Sequence, residues 1–487
     1  MDIGRISGQA VFSDGVRPAE ITFDEESGMI TAVEHAAADL PEDILVFPGF
    51  IDIHVHAREY ALPQDADSTA RGKWEAACRK ETFSTAGQAA INGGVTLFAA
   101  MPNDPIPPSD EDTYKKKQSI ASGSPCPVIV YAAITPESAP WADLPYKVYL
   151  DRVPSSMNFT DWRELQAALN RYAGCRVFFH AEDPEILNRS AGEGPRWRTR
   201  PPDAEIRAVE KILEMTAKLG IRTHICHVST EKAVRLIQEY NASSANRVTC
   251  EVTPHHLFFS VEEDRVICPE RDAIPFASLL ESNPPLRSEA DRRFLVEALR
   301  DGLVQVLASD HAPHTIEDKQ NGAPGMPHLD TLGAFAGWLM NRCGFLPVRV
   351  AEVMSAAPAR IFAKDLALGH GSIEPGAAAA LTVLDLRGST AVGDGAIEGR
   401  GPLKTRCGWS PFEGLELSAA VKTTVVGGKV YEFYGAAGNT SVSSTVGESS
   451  RDAVLTRHSR GSGNPESNHP GQLRPGSPLS RGRRDLE

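Results

Sequence analysis

Two histidines one residue apart, His54 and His56, close the apolar run Val46-Phe47-Pro48-Gly49-Phe50-Ile51-Asp52-Ile53-His54-Val55-His56. A strand sends residues i and i+2 to one face, so this spacing aims both imidazoles at one point. Two convergent imidazoles begin a metal site, and a metal implies chemistry.

More residues of useful type follow at or near the ends of other β-rich runs: Lys147, His180, His227 and Asp310. A lone histidine on an apolar strand is usually a core or surface residue. Repetition of such residues at strand ends is what carries weight. His224 stands three residues before His227, so strand alternation puts it on the opposite face, as a packing residue. His255 and His256 follow a strand-like run and receive no role.

The elements that must position these groups recur along the chain. From Phe50 onward, β-rich runs at 50–56, 95–101, 127–134, 146–150, 176–181, 222–228, 247–253 and 305–310 have helical stretches between most of them. In one clear unit Asp203 can cap a helix whose Ile206, Val209, Leu213 and Ala217 share a face, and Gly220 can end it before the strand at 222–228. Eight strands of this kind suggest an α/β fold, a (β/α)8 TIM-like barrel, with catalytic groups at the C-terminal ends of its strands. Residues 50–365 are assigned to the barrel, and 1–49 with 366–434 to a small flanking β domain built from both chain ends. From about residue 437 to 487 the chain is rich in Ser, Gly, Pro, Asn and Arg, which predicts a disordered tail.

The chain has 487 residues, 41% of them hydrophobic, enough for a large domain plus a smaller one. A formal net charge of −14 argues against a nucleic-acid or anionic-membrane surface, so an anionic substrate must be held by specific residues. The eight cysteines include no CxxC pair, as expected of free thiols in a reducing cytosol. Met1-Asp2-Ile3-Gly4-Arg5 lacks the features of a signal peptide, and no apolar run reaches the length of a membrane span. These features predict a cytoplasmic protein.

The arrangement resembles the amidohydrolase superfamily, and four motifs are similar to those of its dihydroorotase family. They are His54-Val55-His56-Ala57-Arg58, Met101-Pro102-Asn103, Asn283-Pro284-Pro285-Leu286-Arg287 and Asp310-His311-Ala312-Pro313-His314. Ser410-Pro411-Phe412-Glu413-Gly414 also looks like the family's C-terminal segment, so the resemblance covers about residues 45–434. It implies two divalent metal ions, of a kind that zinc suits. His54, His56 and Asp310 would hold one, His180 and His227 the second, and Lys147 would bridge them as a carboxylated lysine. An ammonium has no lone pair to offer a cation, whereas a carbamate supplies two anionic oxygens.

The same resemblance implies reversible hydrolysis of L-dihydroorotate to N-carbamoyl-L-aspartate in pyrimidine biosynthesis. Metal-activated water would attack the ring amide, with Asp310 as the catalytic proton carrier. Arg58, Asn103, Asn283 and His314 would form the substrate site, with Arg58 and Asn103 on the carboxylate. A guanidinium fork matches a carboxylate bidentately, so Arg58 favours a small carboxylated cyclic amide. One departure concerns the segment after Arg58. Family members commonly run into a short Glu-Pro-Gly-like loop, whereas Arg58-Glu59-Tyr60-Ala61-Leu62-Pro63 opens a longer stretch before Lys80-Glu81-Thr82-Phe83.

Two other readings stay open. One is another cyclic amidohydrolase, such as a hydantoinase, dihydropyrimidinase or allantoinase, with less need for Arg58 beside Asn103. The other is a catalytically silent paralogue that scaffolds aspartate transcarbamoylase, against which the suitable residues at every metal position argue. For partners, the resemblance leaves a homo-oligomer or an association with aspartate transcarbamoylase.

Overall fold

Eight parallel strands wind in chain order around one axis: β1 (Phe50–Val55), β2 (Val95–Ala100), β3 (Val128–Val130), β4 (Pro145–Leu150), β5 (Arg176–His180), β6 (Arg222–Ile225), β7 (Thr249–Val252) and β8 (Val306–Leu307). The computed structural model describes residues 2–36, 40–152, 156–270, 277–367 and 369–433. Each strand pairs in parallel with the next, Ala132–Ala133 carrying β3 onto β4. The ring closes where Val55 and His311 form a parallel bridge, with His56 N donating to His311 O at 2.8 Å. Both faces of these strands are covered, which is why they read in the sequence as nearly continuous apolar runs.

The run expected at 127–134 divides at Tyr131. Its side chain turns into the barrel and donates its hydroxyl to Ile53 O at 2.9 Å. Below the mouth the barrel is filled by Ile51, Leu97, Phe178 and Val306 and by Phe362, whose ring stacks on Phe178 at 5.6 Å. It is therefore a packed core rather than a pore.

The long helix between β5 and β6 runs Pro202–Leu219 and ends at Gly220, which takes the left-handed conformation at φ 61°. Its cap is Pro201 and not Asp203, because Pro202 at the first helical position fixes φ there and needs no amide partner. Val209 and Leu213 are buried as expected. The buried stripe, however, continues through Ala208, Ile212 and Thr216, and Ala217 is exposed.

Strands from both chain ends share a second sheet. Ile44–Pro48 pairs in parallel with Ile3–Phe12 and antiparallel with Leu381–Gly393, which in turn pairs with Glu416–Val426. A separate core of Ile21, Phe23, Val46, Leu381 and Val383 holds it. Gly49 carries the chain from this sheet into β1. A Cβ there would stand 2.2 Å from Thr96 Oγ1, so only glycine lets the two sheets approach. The tail expected at 437–487 lies outside the described residues. Among the described residues, no helix is long and apolar enough to cross a membrane.

Candidate active site

The strand ends deliver the histidines to one place. Asp52 fixes the end of β1, its Oδ1 accepting from His54 N at 3.1 Å and from Ser309 N at 3.0 Å. The Nε2 atoms of His54 and His56 then lie 3.3 and 3.1 Å from Asp310 Oδ1, and the three side chains form a buried group able to hold a metal ion. Both Nδ1 atoms are occupied, that of His54 by Glu251 and that of His56 by Asn103 Oδ1 at 2.6 Å. A proton held on Nδ1 leaves the Nε2 lone pair free toward Asp310.

A second pair sits beside the first. His180 Nδ1 lies 3.0 Å from His227 Nε2, and the His227 ring is 5.3 Å from that of His54. His180 Nε2 donates to Glu182 at 3.0 Å; Arg200 grips Glu182 and reaches Asp151 at 3.2 Å. Lys147 is fully buried, and its Nζ donates to Cys226 Sγ at 2.8 Å. Among the described residues it forms no ion pair with a carboxylate. His54, Cys226 and Glu251 make a further buried cluster of ligand-type atoms.

Burial sets the charge states. It pulls His54 below the usual imidazole value against the opposing pull of Glu251 and Asp310, and with Arg58 nearby it pulls His56 well below. His227 is also held well below, by burial and then by His180. Neutral imidazoles offer lone pairs, the state that binds a cation. Burial raises Asp310. It would raise Glu251 too, but His54 and His224 outweigh it and hold that carboxyl below its ordinary range.

Arg58 stands next to this cluster. Its Nη2 is 3.1 Å from His314 Nε2, while Arg58 Nε and His314 Nδ1 are both buried without a hydrogen-bond partner among the described residues. Trp409 in the C-terminal segment donates to His314 O at 2.8 Å and holds that loop in place. Asn103 is exposed at the same mouth with its oxygen on His56, so it links the expected substrate side to the metal side. Asn283 is turned by Arg196, whose Nη1 donates to its Oδ1 at 2.9 Å. The long segment after Arg58 contains a helix, Ser68–Lys80, tied back by Trp74 Nε1 on Tyr60 O at 2.9 Å.

Arg58, His227 and Asp310 all have left-handed backbones, at φ 61°, 36° and 45°. Side chains other than glycine seldom sit there, and such strain gathers at functional sites. It also corrects the reading of His224. Strand β6 stops at Ile225 and His227 turns on a positive φ, so alternation does not extend from one to the other. His224 instead donates to Glu251 Oε2 at 3.1 Å and supports the site. His255 pairs with His328 at 3.0 Å, and His256 with Thr253 at 2.8 Å.

Glu251 and Glu182 were missed as site residues. The signal for Glu251 was present, since a carboxylate inside the apolar run Cys250-Glu251-Val252 must have a buried partner.

The sequence matches the amidohydrolase family model over residues 45–431, and the chain belongs to that family. Its similar curated relatives are dihydroorotases. That of Pyrococcus abyssi is 32% identical over 388 residues, covering 79% of this chain and 83% of the relative. That of Thermococcus kodakarensis is 32% identical over 441 residues, covering 87% and 93%. Among solved structures, the L-hydantoinase (dihydropyrimidinase) of Arthrobacter aurescens has a TM-score of 0.72 at 24% identity, covering 87% of this chain and 94% of that one. At that identity the likeness concerns the fold.

Proposed function

We propose that this chain is a dihydroorotase, a metal-dependent hydrolase that opens the ring of L-dihydroorotate to N-carbamoyl-L-aspartate and closes it in reverse. The observation that carries this reading is the Arg58–His314 pair beside the His54–His56–Asp310 cluster, with Arg58 Nε and His314 Nδ1 buried and unsatisfied. Buried donors without partners suit a ligand that brings acceptors, and a fork-shaped cation suits a carboxylate.

The donor set fits two divalent ions of the zinc type, one on His54, His56 and Asp310 and one on His180 and His227, with Lys147 carboxylated between them. When bound, they supply a strong nucleophile from water at neutral pH and polarise the ring carbonyl. Lys147 suits carboxylation because its buried ammonium faces a thiol with no carboxylate at ion-pair distance among the described residues, and a carbamate removes that cation. Arg58, Asn103, Asn283 and His314 hold and orient the substrate. Asp310 accepts the proton of the attacking water and delivers it to the ring nitrogen as the C–N bond breaks.

We assign residues 50–365 to the catalytic barrel and 1–49 with 366–434 to the small β domain. A cytoplasmic location accords with the eight unpaired cysteines. Homo-oligomer formation or association with aspartate transcarbamoylase rests on resemblance alone and is tested by co-elution. The decisive assay compares dihydroorotate with dihydrouracil on protein of measured metal content. Preference for dihydroorotate is expected; preference for the uncarboxylated ring would move the chain to the hydantoinase class.

A further inference from the structure

Tyr149 follows Lys147 by two residues on β4, so both side chains leave the strand on the same face. Its ring lies 5.0 Å from Lys147 Nζ and 6.1 Å from the His180 ring, inside the metal-ligand cluster. The hydroxyl is buried and has no hydrogen-bond partner among the described residues. Tyr131, also buried at a strand end, does have one, on Ile53 O at 2.9 Å. A buried orphan hydroxyl is rare enough to need a cause.

Lys147 and His180 are both residues of the metal reading, so the phenol faces the place where the ring amide is attacked. A cyclic amide attacked at this cluster brings its ring carbonyl to an acceptor-poor pocket in which this hydroxyl is an unpaired donor. We propose that Tyr149 is a further catalytic residue, donating its O–H to the ring carbonyl oxygen and stabilising the negative charge that builds there during attack.

Tyrosine hydroxyls titrate at about 10, so the group is a donor at neutral pH. In the hydrolytic step a bond forms between the water oxygen and the carbonyl carbon, and the ring C–N bond breaks. The electron pair goes to nitrogen, with the proton that Asp310 carries. Tyr149 keeps its own proton and makes no covalent bond. A donor aimed where charge develops lowers the barrier more than it strengthens substrate binding.

This proposal rests on the dihydroorotase reading, and the test separates the two. Tyr149→Phe removes one oxygen that has no protein partner, so fold and melting temperature are retained. With full-length, metal-loaded protein, kcat for dihydroorotate is expected to fall roughly 100-fold. KM should stay within about threefold of wild type, because the carboxylate contacts to Arg58 are untouched. Metal content should not change. An unchanged kcat overturns the proposal. So does a loss that tracks metal release or is reversed by added bicarbonate, which would place the hydroxyl on a carboxylated Lys147 instead. Wild type is assayed on dihydroorotate and dihydrouracil in parallel. If only dihydrouracil is turned over, the substrate reading fails, and the same kcat comparison on that amide still decides the role of Tyr149.

Discussion

Glu251 on β7 accepts the Nδ1 proton of His54 on β1, reaching past β8, which lies between the two strands. The same oxygen, Oε1, accepts from the backbone amide of His227 at 3.3 Å, and Oε2 accepts from His224 Nε2 at 3.1 Å. One buried carboxylate thus fixes the tautomer of His54, orients His224 and holds the turn that carries His227. The sequence separates these groups by 24 to 197 residues, and the barrel closure brings them together.

Glu251→Gln keeps the volume but presents an NH2 group to one of the two imidazoles that now donate to it. His54 then loses its fixed tautomer or His224 loses its acceptor. Metal affinity is expected to fall roughly 10- to 100-fold, as for other supporting partners of metal-bound histidines. Competition against a chelator of known affinity measures this, and an unchanged dissociation constant would remove Glu251 from the metal site.

Lys147→Ala tests the bridging carboxylate. The substitution removes the group that carries a carbamate, so activity is expected to be lost. Short carboxylic acids small enough for the vacated space should restore part of it by supplying the missing oxygens. Full activity with unchanged metal content in the variant would sink the assignment.

Arg58→Met separates the substrate clamp from the metals. Loss of a buried charge pair should cost roughly 2–5 kcal/mol in binding of a carboxylated substrate. Metal content should hold, since Arg58 touches His314 and not the metal-type cluster. Equal kinetics for variant and wild type on dihydroorotate would take Arg58 out of the substrate site and favour the hydantoinase class.

The parts of the site that could be read in the sequence were those with a fixed local spacing. His54 and His56 share a strand face at i and i+2, and the barrel strands stood out because burial on both faces makes them apolar throughout. What could not be read depends on contacts between distant segments. Alternation gave the wrong place for His224 because the strand ends before His227, and no local pattern foretells a positive φ at a histidine. Asn103 was read as a substrate ligand; its oxygen on His56 is visible only once β1 and β2 pair. Capping at Asp203 was a sound local expectation that Pro202 overrode.

Lys319 provides a test of stability against pH. It lies in the helix Ile316–Gln320 that follows β8, and its Nζ donates to Glu281 O at 2.9 Å and Gly325 O at 2.8 Å. That contact ties the segment leading to Asn283 to the loop that carries His314. Burial lowers the lysine to about 7, against a smaller opposing effect of Glu281. In the unfolded chain a lysine titrates near ~10.4. Between these two values the unfolded state binds the additional proton, so this group makes stability rise as pH rises through that window. Below about 7 both states are protonated, and the cost of burying the charge is fully present. Lys319→Met abolishes the titration at the expense of two backbone partners. The stability of wild type relative to this variant should therefore increase from pH 7 to pH 10, measured by urea unfolding at constant ionic strength. Parallel pH profiles for the two proteins would mean that Lys319 titrates as an ordinary solvated lysine and does not hold these loops together in the buried state.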